Sequence, residues 1–460
     1  MQIEPAIKPE LDPAFVPGVL WNRKFIEAAK ASGSPEKLVV TVERSNGMIS
    51  RFDTVVLPHK NENKALNIKY VERLIKSMLW IKGGYRVTIG GNKEIADTIA
   101  AIYAPDGKRA FDNDLIGKKV YGHDIEVISC SPAEAPEAKE NMVALGRNFK
   151  GCRIGFDLGG SDRKCAAVID GEVVFSEEIE WDPYFQSDPS WHKAGINDSL
   201  KRAAAKMPRV DAVGGSAAGV YVDNQVRVAS LFRGVSESDF DKFVSNMFID
   251  LEKEWGVPFE VINDGEVTAL AGSISINDNA LLGIAMGTSQ AVGYITPDGN
   301  VTDWLNELAF APVDYRDDAP SDEWSGDIGC GAQYFSQQAV ARLAPAAGID
   351  FPEDMPFPEQ LIEVQNLMKK NDPRAVKIYE TIGVYFGYAI ANYADFYEIR
   401  NLMVLGRVTS GTGGEIIIEK AEEVLASEFP ELKAQIKFHI PDEKMKRHGQ
   451  AVAAASLPKI

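Results

Sequence analysis

Cysteine and histidine are scarce in this chain, with four and five residues respectively among 460. Cys130, Cys152, Cys165 and Cys330 have no CxxC spacing, so neither a disulfide framework nor a cysteine-rich metal site is suggested. His59, His123, His192, His439 and His448 have no metal-ligand spacing, and a structural role is expected for each. Positive charge is in deficit: the formal net charge is −18, which makes nucleic acid and anionic lipid poor partners. The N-terminal MQIEPAIKPELDP has no apolar signal core. The notable charge-free run, Asn279 to Pro297, contains Gly, Ser, Thr and Gln. It reads as a loop between buried strands rather than a membrane span. A cytoplasmic protein without membrane attachment is expected. GKS/GKT, GxGxxG and GxSxG are also missing, which speaks against a P-loop, a Rossmann site and a hydrolase elbow.

What is present is ordinary globular composition, 45% hydrophobic and 25% charged, in a chain long enough for two to four domains. The charge is uneven. Residues 1–150 carry a net +3 and the remainder −21, and +3 is too weak to mark a nucleic-acid module. Residues 1–36 are Pro-rich, with a helix predicted around Trp21–Ala31. Asn46-Gly47 between β-rich runs predicts a hairpin. Helix, strand, helix and strand patterns follow to about residue 130, a small α/β unit. Residues 131–147 read as a linker. From residue 152, strands, Gly-rich turns and long helices alternate, which predicts α/β layering. DPRAVKIYETIGVYFGYAIANYADFYEIR reads as one long helix with Asp372 as N-cap and Pro373 in its first turn.

An internal echo is the most informative feature. Residues 153–174, RIGFDLGGSDRKCAAVIDGEVV, and 282–301, LGIAMGTSQAVGYITPDGNV, share one plan. Each is a strand, a small-residue turn, a second strand, an Asp-Gly turn and a third strand. Two such units predict two pseudo-symmetric lobes facing one cleft.

Four segments could carry chemistry. In the first, Asp157-Leu-Gly-Gly-Ser-Asp162, Gly159, Gly160 and Ser161 can bring backbone N–H groups and a hydroxyl to an anion. Asp157 could hold a phosphate-bound Mg²⁺ through water. Gly287, Thr288 and Ser289 occupy the same place in the second copy. In Val261-Ile-Asn-Asp264, Asn263 and Asp264 fall at a strand's C-terminal edge, where ligands of open α/β sheets bind. Asp264 could take the proton of an attacking hydroxyl, or simply cap the following helix. The turn from Leu405 to Gly414, with Gly406, Gly411, Gly413 and Gly414, could hold a nucleotide's base and ribose.

In this order the four segments resemble the sugar-kinase/Hsp70/actin superfamily, and residues 152–457 more closely resemble the ROK family of sugar kinases and repressors. The resemblance implies a two-lobed, actin-like (ribonuclease H-like) α/β ATPase fold with an extra N-terminal α/β domain. The expected units are 1–150, 151–275 and 276–460, with the last helix free to return to the first lobe. It implies ATP and Mg²⁺ as cofactors, a sugar-like substrate, Asp264 as catalytic base, and Asn263 and Glu307 as substrate ligands.

Departures from the family pattern carry their own expectations. Phe310 stands at a His position, and of the family's zinc ligands only Cys330 remains. Ala332 stands where a sugar-binding Glu is common. No zinc is expected, and neither is the family's usual glucose or N-acetyl sugar. Asp314, Asp317 and Asp318 are expected in a solvated loop. Trp304, Phe310, Tyr315, Trp324 and Tyr334 could stack on a sugar, with core packing expected for most. For the N-terminal unit, a lid, a homodimer contact or a specificity element are the roles open to it. A carbohydrate kinase is expected, a non-catalytic sugar or nucleotide sensor of the same fold being the alternative.

Overall fold

In the computed structural model, which describes residues 1–140, 145–441 and 449–460, every residue of strand Cys152–Leu158 is buried. This strand is central in a five-stranded sheet. It pairs antiparallel with Asp162–Ile169, which pairs with Glu172–Glu180, and parallel with Ala212–Ala217, which pairs with Phe259–Asn263.

The second copy of the echo repeats the arrangement. Leu281–Met286 pairs antiparallel with Gln290–Ile295 and parallel with Asn401–Leu405, which pairs with Lys437–His439. Its third strand is reduced to one bridge, Ile295 to Val301. The run Asn279–Pro297 is therefore mostly a strand hairpin, not the loop expected. Its uncharged residues are what a buried hairpin requires.

Helices pack these sheets together. Helix Asp264–Ile276 lies on strand Gln290–Ile295, where a Cβ on Gly293 would collide with the Gly265 carbonyl. Helix Gln450–Ala455 lies on Cys152–Leu158 and Ala212–Ala217, and Gly155 and Gly214 leave room for its carbonyls. The predicted long helix spans Pro373–Tyr393 and stops short of Arg400. Asp372 caps it, accepting from the Arg374 amide at 3.0 Å. Helix Thr412–Glu428 packs along it.

The N-terminal sheet has Ile49–Val56, Glu36–Glu43, Arg86–Gly90 and Glu126–Cys130 in that order. The hairpin turns at Gly47, whose φ of 73° suits glycine. Helix Lys64–Lys82 packs against this sheet, and Asn113–Tyr121 forms a π-helical segment that the sequence pattern did not predict. Residues 131–140 are fastened to the hairpin: Arg51 donates to the carbonyls of Ala135 and Pro136, and Lys139 bridges Ile49. The remainder of the predicted linker includes residues 141–144, which lie outside the described residues, as does His448. Upstream, Phe15 and Val19 share a hydrophobic core with Tyr334, Tyr385 and Tyr388.

Segment 310–330 is bound to helix Lys64–Lys82 by two devices. The Phe310 ring lies 4.4 Å from that of Trp80. Asp327 joins a buried ionic network, 3.0 Å from Lys76 and paired with Arg109, with Glu72, Arg73 and Asp112 completing it. Asp314 is a correction to the expected solvated loop. It is buried, accepting from the Tyr334 hydroxyl at 2.8 Å and from Arg316. A carboxylate can be buried here because a cation and hydrogen bonds accompany it. Asp317 and Asp318 are exposed, as expected. Of the aromatics, Phe310, Tyr315 and Tyr334 are buried in cores, Trp324 is exposed, and Trp304 lines a cavity.

Candidate active site

Strand Phe259–Asn263 delivers Asn263 to the N-terminus of helix Asp264–Ile276, and Asn263 is the cap. Its Oδ1 accepts from the Gly265 amide at 2.7 Å, and its Nδ2 donates to the Gly219 carbonyl at 2.7 Å. Capping by Asn263 leaves Asp264 as the first helical residue. One Asp264 oxygen accepts from the Gly265 amide at 3.0 Å. The other has no hydrogen bond among the described residues. Enclosure in the cleft, and then the neighbouring Asp157 carboxylate, push Asp264 up to about 6.

Asp157 sits opposite Ser216 and Lys164 in the sheet register. It is buried and accepts from the Ser216 hydroxyl at 2.6 Å. Burial raises its pKa, while Ser216 and Lys164 oppose the rise. Lys164 also pairs with Asp162 at 3.2 Å. The turn after Asp157 is tight: the Gly159 amide donates to Asp162, and Gly160 faces the Tyr184 hydroxyl with no room for a Cβ. Ser161 is exposed at its tip and donates to Asp162.

In the matching turn the Gly287 amide donates to the Ser289 carbonyl, and Thr288 and Ser289 are exposed. Gly406, at φ 104°, abuts the Met286 backbone, so the third glycine loop is seated directly on the second. Gly413 and Gly414 are close-packed against Tyr379 and Thr409, whereas Gly411 is open. Helix Thr412–Glu428 starts there without a side-chain cap, which leaves its first N–H groups available to an anion.

Glu307 is half-buried and carried on a loop tied to the N-terminal unit. Its amide donates to the Trp80 carbonyl at 2.9 Å, and the Asn306 amide donates to Ile81 at 3.0 Å. Burial, then the Asp264 charge, push Glu307 up to about 8. The Asp264 carboxylate is thus coupled electrostatically to both Asp157 and Glu307.

Sequence reasoning missed Ser216 and Lys164, which only strand register places beside Asp157. It also missed Glu266, buried and pushed up to about 8 by burial, with Asn306 donating to it at 3.2 Å. Glu266 lies two residues after Asp264, and a charged residue early in an otherwise apolar helix was the available signal. No group of three or more His, Cys, Asp or Glu is placed to hold a metal among the described residues. Nor is any helix among them long and apolar enough to cross a membrane.

No protein-family model matches the sequence, and no curated protein does. Solved structures do. A ROK hexokinase from Thermus thermophilus is 15% identical with a TM-score of 0.52, covering 67% of this chain and 97% of its own. A ROK transcriptional regulator, a homolog of the E. coli MLC protein, is 18% identical with a TM-score of 0.53, covering 67% and 78%. A ROK glucokinase from Streptomyces griseus, in complex with glucose and AMPPNP, is 19% identical with a TM-score of 0.50, covering 67% and 99%. About two-thirds of the chain therefore has the actin-like, two-lobed fold of the ROK sugar kinases and regulators.

Proposed function

We propose that the protein transfers a phosphoryl group from ATP to a hydroxyl of a sugar or sugar-like polyol, with Asp264 as general base. The observation that carries this reading is the unengaged Asp264 oxygen at a helix N-terminus. The acceptor hydroxyl gives its proton to that oxygen as its own oxygen attacks the γ-phosphorus, and ADP leaves. Glu307 orients the acceptor. Asn263 does so with whatever hydrogen-bonding capacity its two backbone contacts leave.

The turns Gly159–Ser161 and Gly287–Ser289 cradle the phosphates. Gly411 and the start of helix Thr412–Glu428 receive the rest of the nucleotide, and Gly406, Gly413 and Gly414 shape that loop. The residues suit a magnesium nucleotide: Asp157 has a second carboxylate oxygen for a water-mediated contact, with Lys164 beside it. Mg²⁺ bound to the phosphates would neutralise charge developing on them. Coupled ADP release over a panel of sugars tests the reading. Turnover unchanged in Asp264→Asn would remove Asp264 as base.

A second reading, a sensor without catalysis, is favoured by one observation. Phe310 and Ala332 present buried apolar side chains where the resembled family places polar ligands. Calorimetry that finds sugar binding without ATP–Mg²⁺ binding would support the sensor.

A further inference from the structure

A cavity of about 410 Å³ opens between the N-terminal unit and both lobes, within the ~300–1,000 Å³ usual for small-molecule sites. Tyr121 of the N-terminal unit, Tyr221 of the first lobe, and Trp304 and Asp303 of the second lobe line it, with Glu266. It shares these walls with a smaller pocket of about 40 Å³ that reaches Asn263, the residue before the proposed base.

Two polar groups in these walls are incompletely used. Tyr121 is 9% exposed, and its hydroxyl has no hydrogen bond among the described residues. Glu266 is 8% exposed and has one partner, Asn306. Both groups keep hydrogen-bonding capacity that a ligand in the cavity could take up. The one cation among the described lining residues, Arg44, is already engaged by Asp303 and Glu140. An anionic ligand would find no counter-charge there.

We infer that the N-terminal unit completes the acceptor site, with Tyr121 and Glu266 as specificity-determining residues for an acceptor whose end remote from Asp264 carries O–H or N–H donors and no negative charge. This rests on the phosphotransfer reading only for the identity of the reacting end. The binding claim stands apart from it.

The test uses the full chain, with calorimetry in the absence of nucleotide alongside initial rates. The ligands are hexoses, 2-amino hexoses and hexuronates. Donor-rich ligands are expected to bind and hexuronates not. Tyr121→Phe and Glu266→Gln should each weaken the preferred ligand about tenfold in Kd and KM, with kcat little changed. In Glu266→Gln, a larger loss for the amine than for the hexose identifies an ammonium as the donor, and equal losses identify a hydroxyl.

Unchanged affinity in both variants, preference for a hexuronate, or binding of no donor-rich ligand would overturn the inference. Wall-dependent binding without ADP release would sink phosphotransfer and keep this inference. ADP release insensitive to both variants would do the reverse.

Discussion

The Glu307 amide donates to the Trp80 carbonyl at 2.9 Å, joining the acceptor loop to the last turn of an N-terminal helix. The last carbonyls of a helix have no partner within it, and here the loop supplies one. Three residues on, the Phe310 ring packs at a tilt against Trp80 and meets Trp324 edge-on.

Removing that anchor should loosen the acceptor loop. Phe310→Ala deletes a buried aromatic and is expected to cost about 3–5 kcal/mol, read as a lower urea midpoint. The acceptor KM should rise while ATP affinity, measured by calorimetry, stays near wild type.

The base assignment has a pH signature. Asp264 must be ionised to accept a proton, and its pKa is raised to about 6. The acceptor kcat/KM should therefore climb as pH rises through about 6 and level off above it. In Asp264→Asn, turnover should fall by about 10²–10⁴-fold with acceptor affinity within a few-fold of wild type.

Glu266 predicts a pH-dependent stability. Its folded pKa, about 8, lies above its ordinary value of 4.5. Its contribution is therefore intact below about 4.5 and is lost as pH rises through 8. Glu266→Gln should raise the thermal midpoint at pH 9 and leave it unchanged at pH 4, as read by calorimetric scans.

The buried ionic network should be intolerant of single deletions. Asp327→Ala leaves Lys76 and Arg109 without one of their carboxylates in a buried setting. A loss of about 3–5 kcal/mol is expected, measured by chemical denaturation. A smaller loss would mean that water or a rearranged Glu72 and Asp112 compensates.

Strand periodicity, the Asn-Gly and Gly-Gly turns and the repeated hairpin were enough to outline the three larger sheets. Helix Pro373–Tyr393 was legible from Asp372-Pro373, because capping and fixed φ act within a few residues of chain. Helix Lys64–Lys82 was legible as a helix but not as a doubly buried one. Its Glu72, Arg73 and Lys76 are buried, and only Asp112, Arg109 and Asp327, distant in sequence, make that burial tolerable. Asp314 misled for the same reason.

The sequence by itself determined the two matching lobes, the glycine turns and the Asn263–Asp264 step, because turn chemistry, strand alternation and helix capping are local. Tertiary structure decided which of that pair caps and which keeps a carboxylate oxygen unengaged. It placed Ser216 and Lys164 beside Asp157 through strand register. It also laid Trp80 against Phe310 and brought Tyr121 to the cavity wall. Those contacts depend on surfaces hundreds of residues apart in the chain, and no local periodicity encodes them.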